Sequence, residues 1–153
     1  MNQCNYNFGL VLTPIFFCFL LVSCQKAPEP ISYSNDSCDN CKMTISDPKF
    51  GSELINAKGK IYKFDSIECL SAFYGSMKEE EIHSVWVTDY LTPEKFINTS
   101  NAYFLVSEKL KSPMGLNISA FADQNNLDKI KADYGGKVLS WKDVRSYVKN
   151  EWQ

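Results

Sequence analysis

Hydrophobic and polar positions divide the chain into two unlike regimes. Residues 10–22 hold 11 apolar side chains in 13 positions, and no Lys, Arg, Asp or Glu occurs in residues 1–23. After that, apolar residues come in short runs separated by polar punctuation, the pattern of strands and amphipathic helices in a folded domain. Residues 50–56 and 60–64 read as two strands joined by a Gly-containing turn at 57–59. Asp65 with Glu68 three residues later predicts a capping box and a helix start, and Ile67, Leu70, Phe73 and Tyr74 give that helix one apolar face before Gly75 ends it. The charge run at 78–81 reads as a solvated loop, and residues 85–90, rich in β-branched and aromatic side chains, read as the next strand.

The second half passes through a similar series. Residues 102–106 and 116–121 are strand candidates, and Asp123 can cap a helix with Leu127, Ile130 and Tyr134 on one face. Gly135-Gly136 stops that helix, 137–139 is a short strand, and Ser140 with Asp143 opens a last helix carrying Trp141, Val144, Tyr147 and Val148. The expected fold is α+β, with two ββαβ-like modules at about 38–92 and 100–150 within a domain spanning 38–150. Modules of about 50 residues bury little surface alone, so they should pack on each other.

The leading apolar run is about 20 Å long as a helix, too short for the roughly 20 residues that cross a bilayer core. It suits the apolar region of a signal peptide. Leu21-Val22-Ser23-Cys24 matches a bacterial lipobox, so residues 1–23 are expected to be removed and Cys24 to carry lipid, although no Lys or Arg precedes the run. Residues 24–37 then form the lipidated Cys and a polar, Pro-bearing tether. The expected location is the cell envelope, facing the periplasm or exterior, with one acylated terminus holding the chain to a membrane without spanning it.

Charge and cysteine usage narrow the chemistry. A net charge of −2 with interspersed signs leaves no basic stripe for nucleic acid. Aromatic content of 14% argues against a disordered tail. Of six cysteines, Cys4 and Cys18 fall in the leader and Cys24 takes lipid, leaving Cys38, Cys41 and Cys69. An odd number of thiols is awkward for a purely structural disulfide scheme. Cys38-Asp-Asn-Cys41 with Met43 two residues on combines two thiolates and a thioether, soft donors that select Cu(I) over harder ions. Structural zinc normally takes four ligands, which makes it a possible competitor only. A CxxC also serves thiol–disulfide exchange, and an inert 38–41 disulfide stays open beside both. Cys69 falls in the first turn of the first helix, where the helix N-terminus should favour its thiolate; as a small apolar filler it would need no such role. Met114, in the Pro-Met-Gly turn at 113–115, is a further thioether candidate or a cover for a strand edge. His83, the single histidine, reads as structural or exposed rather than as a ligand.

These motifs, taken in register, resemble the NosL-type accessory lipoproteins. The resemblance rests on Cys38, Cys41, Met43, Ile45, Asp47, Phe50, Gly59-Lys60, Tyr62-Lys63-Phe64-Asp65 and Cys69 in the first half. It continues through Val87-Thr88-Asp89-Tyr90, Ala102-Tyr103-Phe104, Ser112-Pro113-Met114-Gly115, Ala120-Phe121 and Gly135-Gly136-Lys137-Val138-Leu139, covering about residues 38–145. It implies a non-enzymatic, membrane-anchored Cu(I) chaperone built from two ββαβ modules like those of organomercurial lyase. Such a chaperone delivers copper for assembly of the copper–sulfide centre of nitrous-oxide reductase, beside an ABC-type transporter. The family's CGM-like segment falls on Cys41-Lys42-Met43 and its PMG turn on Pro113-Met114-Gly115. Lys42 stands where the family pattern has Gly, and no His follows the PMG turn, so Cys38 or Cys69 is expected to fill that ligand position. The expected metal ligands are Cys38, Cys41, Met43, Cys69 and Met114. The alternative is a CxxC redox or metal-sensing lipoprotein without copper delivery; a third reading is a disulfide-bearing scaffold for partners.

Overall fold

The computed structural model describes residues 26–152; the leader and Cys24 lie outside the described residues. Its elements are β1 Ser52–Asn56, β2 Ile61–Phe64, α1 Ile67–Gly75, β3 Ile82–Asp89, β4 Thr92–Asn98, β5 Tyr103–Val106, β6 Ile118–Phe121, α2 Gln124–Tyr134, β7 Lys137–Leu139 and α3 Trp141–Trp152. The fold is α+β, with three helices on a seven-stranded mixed sheet ordered β2-β1-β3-β6-β5-β7, and with β4 paired to β3. Each half takes the same path: its second strand, its first, then the strand that follows its helix. The halves meet where β3 and β6 run parallel through one bridge, Asp89 to Ala120; the other strand pairings are antiparallel.

The period-two alternation of strands decides which helix covers which face. Along β5, Phe104 belongs to the main core with Ile67, Leu70, Val144 and Val148, whereas Leu105 packs with Phe121 and Leu127. Helices α1 and α3 therefore close one face of the sheet, and α2 closes the other face over β5 and β6. Strand β1 is buried at four successive positions, Glu53 among them, because its second face is covered too. Part of that cover comes from residues ahead of the sheet. The Glu29 N–H donates to Glu53 Oε2 at 3.0 Å, and Lys63 Nζ donates to the Pro30 carbonyl at 3.1 Å. Gly51 is required beneath this segment, since a Cβ there would lie 2.5 Å from Tyr33 Oη and 2.8 Å from Ile31 Cδ1.

Several element ends follow their sequence signals. Asp123 caps α2 by accepting from the Asn126 N–H, Gly135 closes it at φ 69°, and Ser140 and Asp143 exchange hydrogen bonds at the start of α3. Two expectations are corrected. Strand β4 lies where no strand was expected, as a hairpin partner of β3 in the register Trp86 to Asn98, Val87 to Ile97 and Thr88 to Phe96. The cap of α1 is Ser66 rather than Asp65. Ser66 Oγ accepts the Cys69 N–H at 3.2 Å, and Glu68 turns away from the cap into the protein. The charge run at 78–81 includes an exposed 3-10 turn, Glu79–Glu81.

Candidate metal centre

Two backbone features bring the thiols together. The first is the loop at 38–43, closed on itself by the Cys38 N–H donating to the Met43 carbonyl (2.8 Å) and the Lys42 N–H donating to the Cys38 carbonyl (3.0 Å). An isolated bridge between Ser37 and Thr44 seals its base. The second is the β2–α1 junction, which carries Asp65 and then Cys69. The two are fastened by a reciprocal pair: the Asp39 N–H donates to the Lys63 carbonyl at 2.8 Å, and the Lys63 N–H donates to Asp39 Oδ2 at 2.9 Å. The Lys63–Asp36 ion pair at 2.8 Å adds a third tie and holds the Asp36 carboxyl below its usual range.

Cys38, Cys41, Asp65 and Cys69 converge so that one ligand atom from each lies within 4.8 Å of all the others. None of the three cysteines is in a disulfide. Cys38 and Cys69 are 0% exposed, Asp65 is 2% exposed, and Cys41 is half-buried. Cys41 Sγ lies 3.6 Å from Asp65 Oδ2 and acts as donor, while Asp65 Oδ1 is buried with no partner. Asn40 Nδ2 donates to Cys69 Sγ at 3.5 Å. A buried carboxylate oxygen without a donor is costly, and a cation among these four groups would compensate it. The donor set fits such an ion: three sulfurs suit a thiophilic metal, with one oxygen beside them.

The thiols titrate unequally. Cys38 drops to about 6, first because the Cys69 S–H donates to it, and further because backbone N–H groups of Asp65, Cys41 and Asn40 point at its sulfur. The same hydrogen bond, with burial, pushes Cys69 up, and burial pushes Cys41 up. This corrects the expectation that the helix start would make Cys69 the thiolate. The Cys69 N–H is taken by Ser66, and the Cys69 thiol serves as donor to Cys38.

The other candidates fall around this cluster. Met43 is 48% exposed on the same loop as Cys41. Met114 is half-buried against the main core, in a turn held by a buried polar network. There Ser112 Oγ donates to Glu68 Oε1 and accepts from the Gly115 and Asn117 N–H groups at 3.2 and 2.9 Å. His83 is exposed on β3 and outside the cluster. Asp65 was missed as a site residue because Asp followed by Ser offers two adjacent cap residues, and the sequence alone favoured the first.

A two-half α+β sheet carrying a buried three-thiol, one-carboxylate cluster defines a small domain suited to a thiophilic metal ion. The NosL family model matches residues 30–148. The chain belongs to the NosL family. It is 23% identical over 160 residues to the copper-binding lipoprotein NosL of Stutzerimonas stutzeri, covering 94% of this chain and 84% of that protein. Its fold is similar to the crystal structure of the copper chaperone NosL from Shewanella denitrificans, with a TM-score of 0.67 and 24% identity over 76% of this chain and 94% of the other.

Proposed function

We propose that this protein is a membrane-anchored Cu(I)-binding chaperone, not an enzyme, that passes copper to an envelope copper enzyme. The client we favour is nitrous-oxide reductase, whose copper–sulfide centre needs assembly, with the metal handed over directly or through an ABC-type transporter. Family membership supports this reading, as do the copper-binding and chaperone descriptions of its relatives. The single observation that carries it is the convergence of Cys38, Cys41 and Cys69 within 4.8 Å, unoxidised and mostly buried.

Three thiolates give Cu(I) a soft, low-coordinate site that a partner's sulfurs can take apart one bond at a time. Copper displaces the thiol protons, and the Asp65 carboxylate, already accepting from Cys41, is placed to receive one. Met43 and Met114 are supplementary thioether donors. Zinc, which accepts sulfur and oxygen ligands together, is the competitor to test. Lipid on Cys24 provides the membrane attachment, and the two ββαβ halves at about 38–92 and 100–150 act as one scaffold behind it.

Anaerobic titration of the reduced protein with Cu(I) against a chromogenic chelator tests the reading. One equivalent should bind tightly. Replacing Cys38, Cys41 and Cys69 together by Ser should abolish that binding; its survival would place the metal elsewhere. The depressed Cys38 thiol favours a second reading, a CxxC redox or sensing protein. That protein would turn over a disulfide substrate and show a reduction potential in the range of exchange enzymes.

A further inference from the structure

The tether and the thiols lie at opposite ends of the sheet. Strand β2 starts beside the β1–β2 turn and ends at the junction that carries Asp65 and Cys69. Helix α1 then runs back, which returns the 3-10 turn Glu79–Glu81 to the level of the β1–β2 turn, where the Ala57 N–H donates to the Glu81 carbonyl at 2.8 Å. Lys26, the first described residue, is tied to this end too, its Nζ donating to the Ala57 carbonyl. Cys24 precedes it by two residues, a span of at most about 7 Å, so lipid on Cys24 leaves the molecule from this end. Here an open groove of about 570 Å³ runs between the second half of α1 and α3. Met77 and Trp152 are among its apolar walls, and its charges are Lys142, Arg145 and Lys149 against the single carboxylate of Glu79. Arg145, the only arginine of the chain, lies with Cζ 4.7 Å above the Tyr74 ring and gives one N–H to Glu79 Oε1 at 3.1 Å. Its Nε has no partner among the described residues, and neither has Ser71 Oγ on the α1 side, at a residue 4% exposed. Along the adjoining turns the acids Glu80, Glu81 and Asp143 are matched in number by Lys58, Lys60 and Lys78, so the cationic surplus of the groove stands on a chain whose net charge is −2.

We propose that this groove seats anionic phospholipid, with Lys142, Arg145 and Lys149 taking the headgroup phosphate, so that the domain stands on the membrane with its thiols facing away. The inference rests on the lipid-anchor part of the reading above and does not depend on which metal the thiols hold. Two observations choose a lipid surface over an acidic protein segment. The groove and the anchored end coincide, so the acyl tether alone brings these cations against headgroups at high effective concentration. The donors, a guanidinium with N–H groups to spare and two flexible ammonium groups, border an apolar trough with Trp152 in its wall, a combination suited to phosphate oxygens beside acyl chains. Acylation holds a chain to a bilayer without fixing which face looks outward, and a second, electrostatic contact supplies that orientation. Helix α1 has nine residues, a length of about 13 Å, and by that distance the thiol cluster at its start stands farther from the headgroups than the groove at its end.

The test uses the full lipidated protein reconstituted into vesicles of phosphatidylcholine alone or of a mixture rich in phosphatidylglycerol. Acetylation by a water-soluble reagent, mapped by mass spectrometry, reads which lysines are covered. With phosphatidylglycerol, Lys58, Lys78, Lys142 and Lys149 should react about fivefold or more slowly than in phosphatidylcholine, and molar salt should erase the difference. Lys42 on the cysteine loop and Lys49, whose Nζ lies 5.1 Å over the Tyr90 ring beyond the far end of β3, should keep their rates. Lys142→Gln/Lys149→Gln, at two exposed positions, should lose the slowing at Lys58 and Lys78. Equal reactivity in the two lipids would overturn the proposal. Slowing at Lys58 and Lys78 that survived in the double variant would overturn it too, because something other than the groove would then set the orientation. Slowing by soluble polyglutamate but not by phosphatidylglycerol would assign the groove to an acidic protein segment instead. Wild-type protein that entered neither vesicle would overturn the lipid-anchor reading, and the proposal with it.

Discussion

Glu53 makes the most demanding stability prediction. Its side chain is 0% exposed in the middle of β1, with Oε2 accepting the Glu29 N–H at 3.0 Å and Oε1 without a partner. Burial raises its pKa from 4.5 to about 7. The Glu29 N–H and Lys63 pull it down, and the charges of Glu29 and Asp36 push it up, but burial dominates. Because the folded value is the higher one, the native state holds a proton that the unfolded chain releases between those pH values. Stability is therefore undiminished below about pH 4.5 and declines as pH rises through about 7. A gap from 4.5 to about 7 at about 1.4 kcal/mol per pH unit sets the loss at about 3 kcal/mol. Glu53→Gln keeps the shape and an acceptor for Glu29 but cannot ionise. Burying the new amide donors shifts absolute stability, so the quantity to compare is the slope. Melting temperatures recorded from pH 4.5 to 8 should fall by roughly 10 °C more in wild type than in Glu53→Gln. Parallel curves for the two proteins would show that Glu53 does not titrate across this range, and the burial argument would be wrong.

Two further substitutions probe the ties around the site. Lys42→Gly relieves the left-handed strain at φ 67° against the greater entropy of an unfolded Gly, so denaturant unfolding should show a net gain of about 0.5–1 kcal/mol; a lower stability would contradict it. Glu68→Ala removes the acceptor for Ser112 Oγ and the Ile118 N–H from a fully buried position and should cost about 2–3 kcal/mol. In the same variant the Met114 methyl resonance should shift, because its turn loses its anchor on α1; an unmoved signal would mean the turn holds itself.

Much of the architecture was legible because local signals and tertiary demands agreed. Asp123, Gly135 and the Ser140–Asp143 pair each mark a helix end whose backbone groups they satisfy. Strand β4 was hidden because Thr92-Pro93-Glu94-Lys95 is exposed and carries no alternation; pairing with β3, not propensity, makes it a strand. The cysteines pointed to soft ligation, and the loop and helix that carry them lie where the sequence placed them, with the helix cap one residue later than expected. Neither the convergence of the two nor the addition of Asp65 could be read in one dimension. Both depend on the Asp39–Lys63 pairing across 24 residues.

The lone parallel bridge between Asp89 and Ala120 has a mechanical consequence. The bridge is a seam between two plates of the sheet, which are joined also by the Tyr90 N–H donating to the Ala120 carbonyl at 2.8 Å, by the Tyr90–Phe121 ring contact, by the packing of α1 on α3 with its Arg145–Glu79 ion pair, and by the Glu68 contact with the Ser112 turn. Cys38, Cys41, Asp65 and Cys69 all ride on one plate, and Met114 rides on the other. Flexing the seam would carry Met114 toward or away from the thiols while leaving their mutual spacing untouched. A partner that gripped both plates would thus have leverage on the metal without touching a single cysteine.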